Sequence, residues 1–468
     1  MPKFPEVQLA SNSRDARPAE TAGSAARSGA AGAERLRVLV VAESFFPQLN
    51  GVAHSALRTA EDLFKKGHIP VIVSPETGRR SHRADDLAQW GNMFPVIRVR
   101  SIPLPGYPEV RIALPGRHVA RAISLHQPHI IHLASPFVLG SQGIAAARKS
   151  GIATVAVFQT DMAAYARTYL PSVANIMERQ AWRRIRNIHS AADRTLAPSE
   201  SSRRDLVTHG IPRVHLWPRG VDSMRFSPHH RDHALRRALA PAGEVIVGYV
   251  GRLAPEKQVE LMAGVCSLPG VRVVIVGDGP CRTRLERALP GAIFLGRRTG
   301  HDLARVYASL DIFVHTGQFE TFGQTIQEAM ASRLPVVAPA AGGPLDLVDH
   351  GRTGFLIPAG DGSALCGAVD RLARSGGLRS AFGHAGRTAV AARTWDSIGD
   401  VLITHYRQAL RATTEDLILP FPADSSGAPT GRADRPGAGT AQPAASAGPR
   451  TALPPSLSRA STPRSPVG

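Results

Sequence analysis

Two carboxylates, Glu320 and Glu328, stand eight residues apart in the segment ETFGQTIQE. On a helix that spacing covers about 12 Å. A carboxylate pair that hydrolyses a glycosidic bond sits about 5–9.5 Å apart, so these two are better suited to gripping opposite ends of one elongated ligand. Glu320 precedes the helix, where the amides of Phe322 and Gly323 point at whatever ligand lies there. Glu328 lies about two turns further in, within reach of vicinal hydroxyls such as those of a ribose. For either residue alone the plain alternative is a capping or helix-surface glutamate.

A second cluster is cationic. GRLAPEK places Arg252 and Lys257 five residues apart across a proline-restricted turn. An arginine fork with a lysine point charge complements a diphosphate; a solvated basic loop beside Glu256 is the alternative. Three other positions follow strand-like runs. Gly51, in NGV, opens a helix and permits an anion to approach backbone and helix amides. Gly277, in VGDGP, either admits a nucleotide base or makes a turn, and Asp161, in FQTD, either touches a sugar or acceptor or ends a strand. The turn after the first strand is not GxGxxG, which counts against a dinucleotide-binding dehydrogenase. With no HExxH and no DxD between apolar strand residues, no metal is expected. The three cysteines, Cys266, Cys281 and Cys366, lack CxxC spacing and argue against a disulfide framework or a zinc site.

These candidates need elements that hold them. RVLVVAE (37–43), IPVIVSPE, HIIHLAS (129–135) and TVAVFQT (154–160) are continuous apolar runs of strand length, and a helical pattern runs from His54 to about Lys66. The same grammar restarts at EVIVGYVGRL (244–253), with a helix expected over about Gln258 to Ser267. It continues through VRVVIVGDGP (271–280), AIFLG (292–296), DIFVHTG (311–317) and PVVAP (335–339). Two such sets predict an α/β protein of two Rossmann-like, doubly wound domains, whose ligands sit beyond the carboxyl ends of the strands. The expected boundaries are a first domain over 34–218, a hinge over 219–232 and a second domain over 233–393. A last helix within 394–415 could pack back across the cleft. Residues 1–33 and 416–468, rich in Ala, Ser, Gly, Pro and Arg without periodicity, read as disordered tails.

A length of 468 residues suits two domains plus tails. Aromatic residues make up 5%, so the core must rest on Val, Ile, Leu and Ala. The net charge of +19 is carried mostly by arginine. No helix-turn-helix, zinc-finger or RNP-like segment accompanies it, so nucleic acid is not the expected partner. An anionic membrane surface and a phosphate-bearing substrate fit better. Arg179, Arg183, Arg184 and Arg186, with Trp182 and Ile185 in MERQAWRRIRNIH, form a basic amphipathic stretch that could rest on anionic lipid; a solvated helix face is the alternative. No apolar run approaches the roughly 20 residues of a membrane span, and the first residues lack a signal-peptide core. The expected location is cytoplasmic, with peripheral contact at the inner face of the plasma membrane.

GRLAPEK, VVIVGDGP, FETFGQTIQE, PVVAPAAGGPLDLV and HGRTGFL, in this order, resemble the retaining GT-B glycosyltransferases of family 4 over about residues 36–410. PQLNGV, FQTDMAAYA, RGVD and AAGGPLDLV are most similar to the actinobacterial GDP-mannose-dependent α-mannosyltransferases that build mannosylated glycolipids. Sulfoquinovosyl-diacylglycerol synthases share much of the pattern. The resemblance implies two domains facing a cleft and no cofactor beyond a nucleotide-sugar donor, GDP-mannose, with a lipid-linked or glycolipid acceptor on the first domain. By position it implies that Arg252 and Lys257 hold the donor diphosphate and that Glu320 contacts the transferred sugar. The Phe322 and Gly323 amides would lie near sugar or phosphate, Glu328 would bind the ribose, and Gly51 would let the diphosphate approach the first domain. Many members have His before the Thr-Asp pair where this chain has Gln159, so a histidine role does not carry over, although Asp161 can still meet sugar or acceptor. A UDP-sugar-dependent transferase is the nearer alternative. An epimerase or phosphorylase on the same fold, or a non-catalytic anion or nucleic-acid binder, are the more distant ones.

Overall fold

The computed structural model describes residues 35–46, 51–76, 93–104, 107–159 and 174–418. Asp161 and the expected tails over 1–33 and from 419 onward lie outside them. The first sheet holds β1 (Arg37–Ala42), β2 (Ile69–Pro75) and β3 (Val96–Val99). After an antiparallel ribbon of β4 (Ser101–Leu104) and β5 (Tyr107–Ala113), it is completed by β6 (Ile130–Ala134), β7 (Ala153–Val157), β8 (Arg194–Ala197) and β9 (Val214–Leu216). Its order is β3-β2-β1-β6-β7-β8-β9, parallel throughout. The second sheet holds β10 (Val245–Val250), β11 (Val271–Val276), β12 (Ile293–Gly296), β13 (Ile312–Val314), β14 (Val336–Pro339) and β15 (Gly354–Ile357). Its order is β12-β11-β10-β13-β14-β15, again parallel. The strand order reverses between β1 and β6 and between β10 and β13, the two places where such sheets open a crevice.

The apolar runs are unbroken because both faces of each sheet are covered. In β1, Val38, Val40 and Ala42 join one core cluster while Leu39 and Val41 join another. In β10, Ile246 and Val250 face one way and Val247 and Tyr249 the other. Helix Gly51–Lys65 begins with the glycine itself, three residues earlier than the apolar pattern indicates. The helix expected over 258–267 is instead two 3₁₀ turns, Pro255–Lys257 and Val259–Met262, and a single α turn, Ala263–Cys266. Gln258 between them has φ 48°, a left-handed conformation that interrupts any continuous helix. Val259, Met262 and Val265, three apart, are all buried in the same cluster, and that period suits 3₁₀ geometry as well as α.

Helix Trp395–Ile418 belongs by sequence to the second half and by packing to the first. Ile398, Leu402, Ile403, Tyr406 and Ala409 share a core cluster with Val38, Val40 and Ala42 of β1. Trp217 Nε1 donates to Ile398 O at 3.0 Å, and the Tyr406 hydroxyl meets buried His132 Nδ1 at 2.8 Å. Lys66 pairs with Asp396 and Asp400 at the helix start. Residues 416–418, assigned to the tail from composition, continue this helix.

The chain therefore crosses between the halves twice, and the crossings touch. Val221 bridges Thr394, with Val221 N donating to Arg393 O at 2.8 Å. Gly220 makes this contact possible, because a Cβ there would lie 2.6 Å from both N and Cα of Trp395. Gly220→Ala is expected to destabilise the protein by about 1–3 kcal/mol, read as a lowered urea midpoint. An unchanged midpoint would mean that the two crossings are not tightly coupled.

Candidate active site

The loops that follow β10 and β13 leave neighbouring strands at the switch point of the second sheet. The first carries Arg252 and Lys257. Buried Tyr249 donates its hydroxyl to Arg252 O at 3.1 Å, and Leu253 and Ala254 are buried beneath the loop. The VGDGP turn holds it from the side: Leu253 N donates to Asp278 O at 2.9 Å and Cys281 N to Leu253 O at 2.9 Å. Gly277 has φ +140°, and a Cβ there would lie 1.8 Å from Gly251 O. What Gly277 approaches is protein backbone, so its geometry is explained by seating the cationic loop; the turn reading accounts for it without a nucleotide base.

The second loop carries Glu320, and its carboxylate accepts a hydrogen bond from Lys257 Nζ. The two groups expected to serve diphosphate and sugar separately are thus joined directly. Gly317 leaves room for the lysine stem, since a Cβ there would lie 3.2 Å from Lys257 Cδ. The Thr316 hydroxyl donates to Lys257 O. Burial would raise the Glu320 carboxyl, but Lys257, His315 and Arg219 outweigh it and hold the group below the usual carboxylate range. His315, 3.6 Å from Glu320, is pushed down to about 4 chiefly by burial and is neutral at pH 7. Beneath Glu320 runs the AAGGP turn, with Gly343 N donating to Glu320 O at 2.7 Å. A Cβ on Gly342 or Gly343 would meet Glu320 O at 2.4 Å or Phe322 O at 2.3 Å.

Phe322 is buried in the core, so its side chain anchors the loop and only its backbone can face a ligand. Gly323, at φ +96°, caps helix Gln324–Ala331. Glu328 follows on that helix. The Tyr307 hydroxyl lies 3.1 Å from Glu328 Oε2 and 3.3 Å from Thr325 O. Burial pushes the Glu328 carboxyl up to about 7 despite help from Tyr307 and Gln324.

Across the crevice stands the first domain. Gly51 O accepts from Arg219 Nη1 at 3.2 Å, and a Cβ on Gly51 would lie 3.1 Å from the same nitrogen. The missing side chain therefore makes room for an arginine, a partner that the sequence reading did not supply. Arg219 also donates to Gln159 Oε1 at 2.9 Å. Burial brings its guanidinium down to about 10 against the pull of Glu320, so it stays charged at neutral pH. Thr321 Oγ1 donates to Gln159 O at 3.0 Å, Ser202 Oγ to Thr321 O at 3.2 Å, Gln324 Nε2 to Gly220 O at 3.1 Å and Gln327 Nε2 to Arg219 O at 2.9 Å. The carboxylate segment is thereby stitched to the first domain and the hinge. Asp161, two residues past Gln159, lies outside the described residues.

Arg219, His315, Tyr307 and Glu43 were not singled out as site candidates from sequence. Arg219 stands in RGVD, read there as hinge, and His315 ends the DIFVHTG strand run. Glu43, just past β1, is a buried carboxylate that accepts from Phe137 N at 2.7 Å and Gly140 N at 2.8 Å, capping helix Leu139–Ser150. Burial raises its pKa despite those amides.

The basic stretch is only partly as expected. Trp182 and Ile185 are buried with Phe158, Leu206 and Ile211, so they face the protein core. Arg184 lies over the Phe137 ring at 5.0 Å and donates to Phe137 O at 2.9 Å, and Arg186 donates to His209 O at 2.8 Å. Arg179 and Arg183 remain exposed, beside exposed Ile176 and Met177.

Two facing Rossmann-like domains, with Lys257 and Glu320 joined at the switch point of the second sheet, define a sugar-nucleotide-dependent transferase architecture. Residues 49–225 match the model of Glycosyltransferase Family 4, and residues 244–375 that of Glycosyl transferases group 1. The chain belongs to glycosyltransferase family 4, and its fold is GT-B. It is 45% identical over 386 residues to a GDP-mannose-dependent alpha-mannosyltransferase of Mycobacterium tuberculosis, covering 81% of this chain and 99% of that one. The protein of the same name from Corynebacterium glutamicum is 41% identical, covering 82% and 92%. In fold it matches Anabaena HepE in complex with UDP, with TM-score 0.65 and 21% identity over 80% of this chain and 100% of that one. It also matches a sucrose-phosphate synthase from Thermosynechococcus elongatus, with TM-score 0.66 and 20% identity over 81% and 100%.

If Glu328 accepts from ribose hydroxyls, protonating it removes acceptor capacity. Its pKa is raised to about 7, so affinity for GDP is expected to fall as pH drops through about 7. The loss should be roughly tenfold, the worth of one good hydrogen bond to a charged group. Calorimetry on Glu328→Gln should give weaker binding without that pH dependence. Identical pH profiles for the two proteins would remove Glu328 from the nucleotide site.

Proposed function

We propose that this enzyme transfers mannose from GDP-mannose to a hydroxyl of a lipid-linked or glycolipid acceptor, with retention of anomeric configuration. The observation that carries the donor is the 45% identity, over nearly the full length of the relative, to a protein named for that donor and sugar. Arg252 and Lys257 bind the diphosphate and offset the charge that grows on it as the glycosidic bond breaks, an electrostatic role in a preformed site. Glu320 takes a hydroxyl of the departing sugar, and Glu328 takes the ribose. Phe322 and Gly323 present backbone amides beside them. The acceptor hydroxyl attacks from the face that the diphosphate leaves, so positioning of donor and acceptor supplies much of the rate.

Thermal-shift measurements against GDP-mannose, UDP-glucose and UDP-sulfoquinovose test the donor. GDP-mannose is expected to raise the melting temperature most; a clear rise with a UDP-sugar and none with GDP-mannose overturns the assignment. In the same reading, the two cations meet the leaving-group charge without a metal ion. Transfer activity should then survive exhaustive EDTA treatment, and a loss restored by a divalent cation would count against this.

The acceptor side rests on charge. Arg179 and Arg183, with Ile176 60% and Met177 41% exposed next to them, form a surface suited to anionic lipid. No helix among the described residues is long and apolar enough to cross a membrane. Co-sedimentation with anionic vesicles should be lost in Arg179→Glu/Arg183→Glu, whereas equal sedimentation of variant and wild type would exclude this surface.

A further inference from the structure

At the end of the second sheet opposite the crevice lies a cavity of about 230 Å³. Asp311 and Pro335 in its lining immediately precede β13 and β14. The loop with Glu320 and the AAGGP turn follow those strands, so the cavity and the donor site stand at their opposite ends. Arg231, Ser332, Arg333, Arg379 and Ser380 also line it. Its charge is unbalanced. Asp311 is shared by Arg231 and Arg236, each at 3.0 Å, and among the described residues no carboxylate pairs with Arg333 or Arg379.

Two of these arginines have structural work. Arg231 Nη1 donates to Ala308 O at 3.3 Å and Leu310 O at 3.2 Å, and Arg379 Nη1 to Leu372 O and Ala373 O, both at 2.7 Å. Arg333 has none: among the described residues its guanidinium makes no hydrogen bond or ion pair. Its backbone is also costly. Helix Gln324–Ala331 ends in a Schellman motif, with Arg333 N donating to Met330 O and Leu334 N to Ala329 O, both at 3.0 Å. Arg333 takes the left-handed position of that motif, at φ 64°, where glycine is the usual occupant. It is not needed to cap the helix, since Glu328 O accepts from Ser332 N and Ala331 O from Arg387 Nη1. Gly383 makes room for it: a Cβ there would lie 2.2 Å from Arg333 O and 3.3 Å from Arg333 Cγ. A cation thus stands on the cavity lining where the backbone favours glycine. Buried Ser332 beside it has a hydroxyl without a partner among the described residues.

We propose that this cavity is a second anion site, which takes the phosphoryl group of inorganic phosphate or of a small phosphate monoester. Arg231, Arg333 and Arg379 supply the charge, and Ser332 and Ser380 supply hydroxyls. Arginine forks match phosphate oxygens in geometry as well as charge. The volume falls below the roughly 300–1,000 Å³ of pockets that enclose larger organic ligands, so a whole sugar nucleotide does not fit. Arg231 belongs to the hinge, and Ser332 ends the helix that carries Glu328. A phosphoryl group here lies against both, outside the donor site.

Calorimetry at constant ionic strength, with inorganic phosphate and glycerol 3-phosphate as probes, tests the site. The wild type is expected to bind, and the tighter probe shows whether free or esterified phosphate is the better occupant. Arg333→Gly removes the cation where the backbone suits glycine. It should melt no lower than the wild type yet bind about tenfold more weakly, roughly the worth of one hydrogen bond to a charged group. Ser380→Glu sets a carboxylate into the lining at an exposed position and should weaken binding at least as much. Arg252→Ala, in the donor site, should bind both probes as the wild type does. Failure of the wild type to bind either probe overturns the proposal, as does unchanged binding in Arg333→Gly or in Ser380→Glu. Binding lost in Arg252→Ala but kept in those two assigns the phosphate to the crevice and overturns it equally.

Discussion

The bond between Lys257 and Glu320 is the interaction around which the crevice is built. It joins loops from two strands that are neighbours only because the sheet order reverses between β10 and β13. Burying opposite charges is favourable only when geometry and surrounding dipoles are right, and the nearby chain is arranged to that end. Gly317 clears the lysine stem, and Thr316 fastens its carbonyl. Gly342 admits the Glu320 backbone, and Gly343 that of Phe322, at distances that no side chain would permit. Any anion that draws the ammonium toward itself also releases the carboxylate.

The same stretch also holds the two domains together. Thr321, Gln324 and Gln327, between or beside the two glutamates, bond respectively to Gln159, Gly220 and Arg219. A helix that carries Glu328 and, through Gln324 and Gln327, the contacts to the hinge cannot shift one without the other. Helix Trp395–Ile418 completes the coupling by packing its apolar stripe into the first core, while the residue before it bridges Val221. Both crossings of the chain thus run beside the segment that carries the two glutamates.

Much of this was legible in the chain itself. Parallel strands covered on both faces are written as continuous apolar runs, so β1, β2, β6, β7 and all but the last strand of the second sheet could be read directly. Arg252, Lys257 and Glu320 fall just after such strands, so their place beyond the strand ends follows from the apolar runs themselves. Short β8 (RTLA) and β9 (VHL) are broken by Arg194, Thr195 and His215 and so show no apolar run, and β15 follows a turn-rich stretch without standing out from it. The 255–266 segment misled for a different reason: a three-residue apolar period fits two kinds of helix, and the left-handed Gln258 decides between them.

Side-chain partnerships are where local pattern stops. Arg219 and Gln159 are 60 residues apart in sequence, Arg219 and Gln327 108, and Thr321 and Gln159 162. Nothing in RGVD or FQTD announces those pairings, because a hydrogen bond depends on where two strand ends arrive in space. The Gly51 gap looked like an opening for an anion and is filled by a guanidinium from the hinge. The basic stretch looked like one lipid-facing surface, yet Trp182, Ile185 and Arg184 turn to their own domain. By itself the sequence determined the two-sheet architecture and the strand-end positions of Arg252, Lys257 and Glu320, since backbone burial and strand-end placement are local and periodic. Tertiary structure alone decided which charges neutralise one another and which side chains turn to their own domain, since those depend on contacts between segments far apart in the chain.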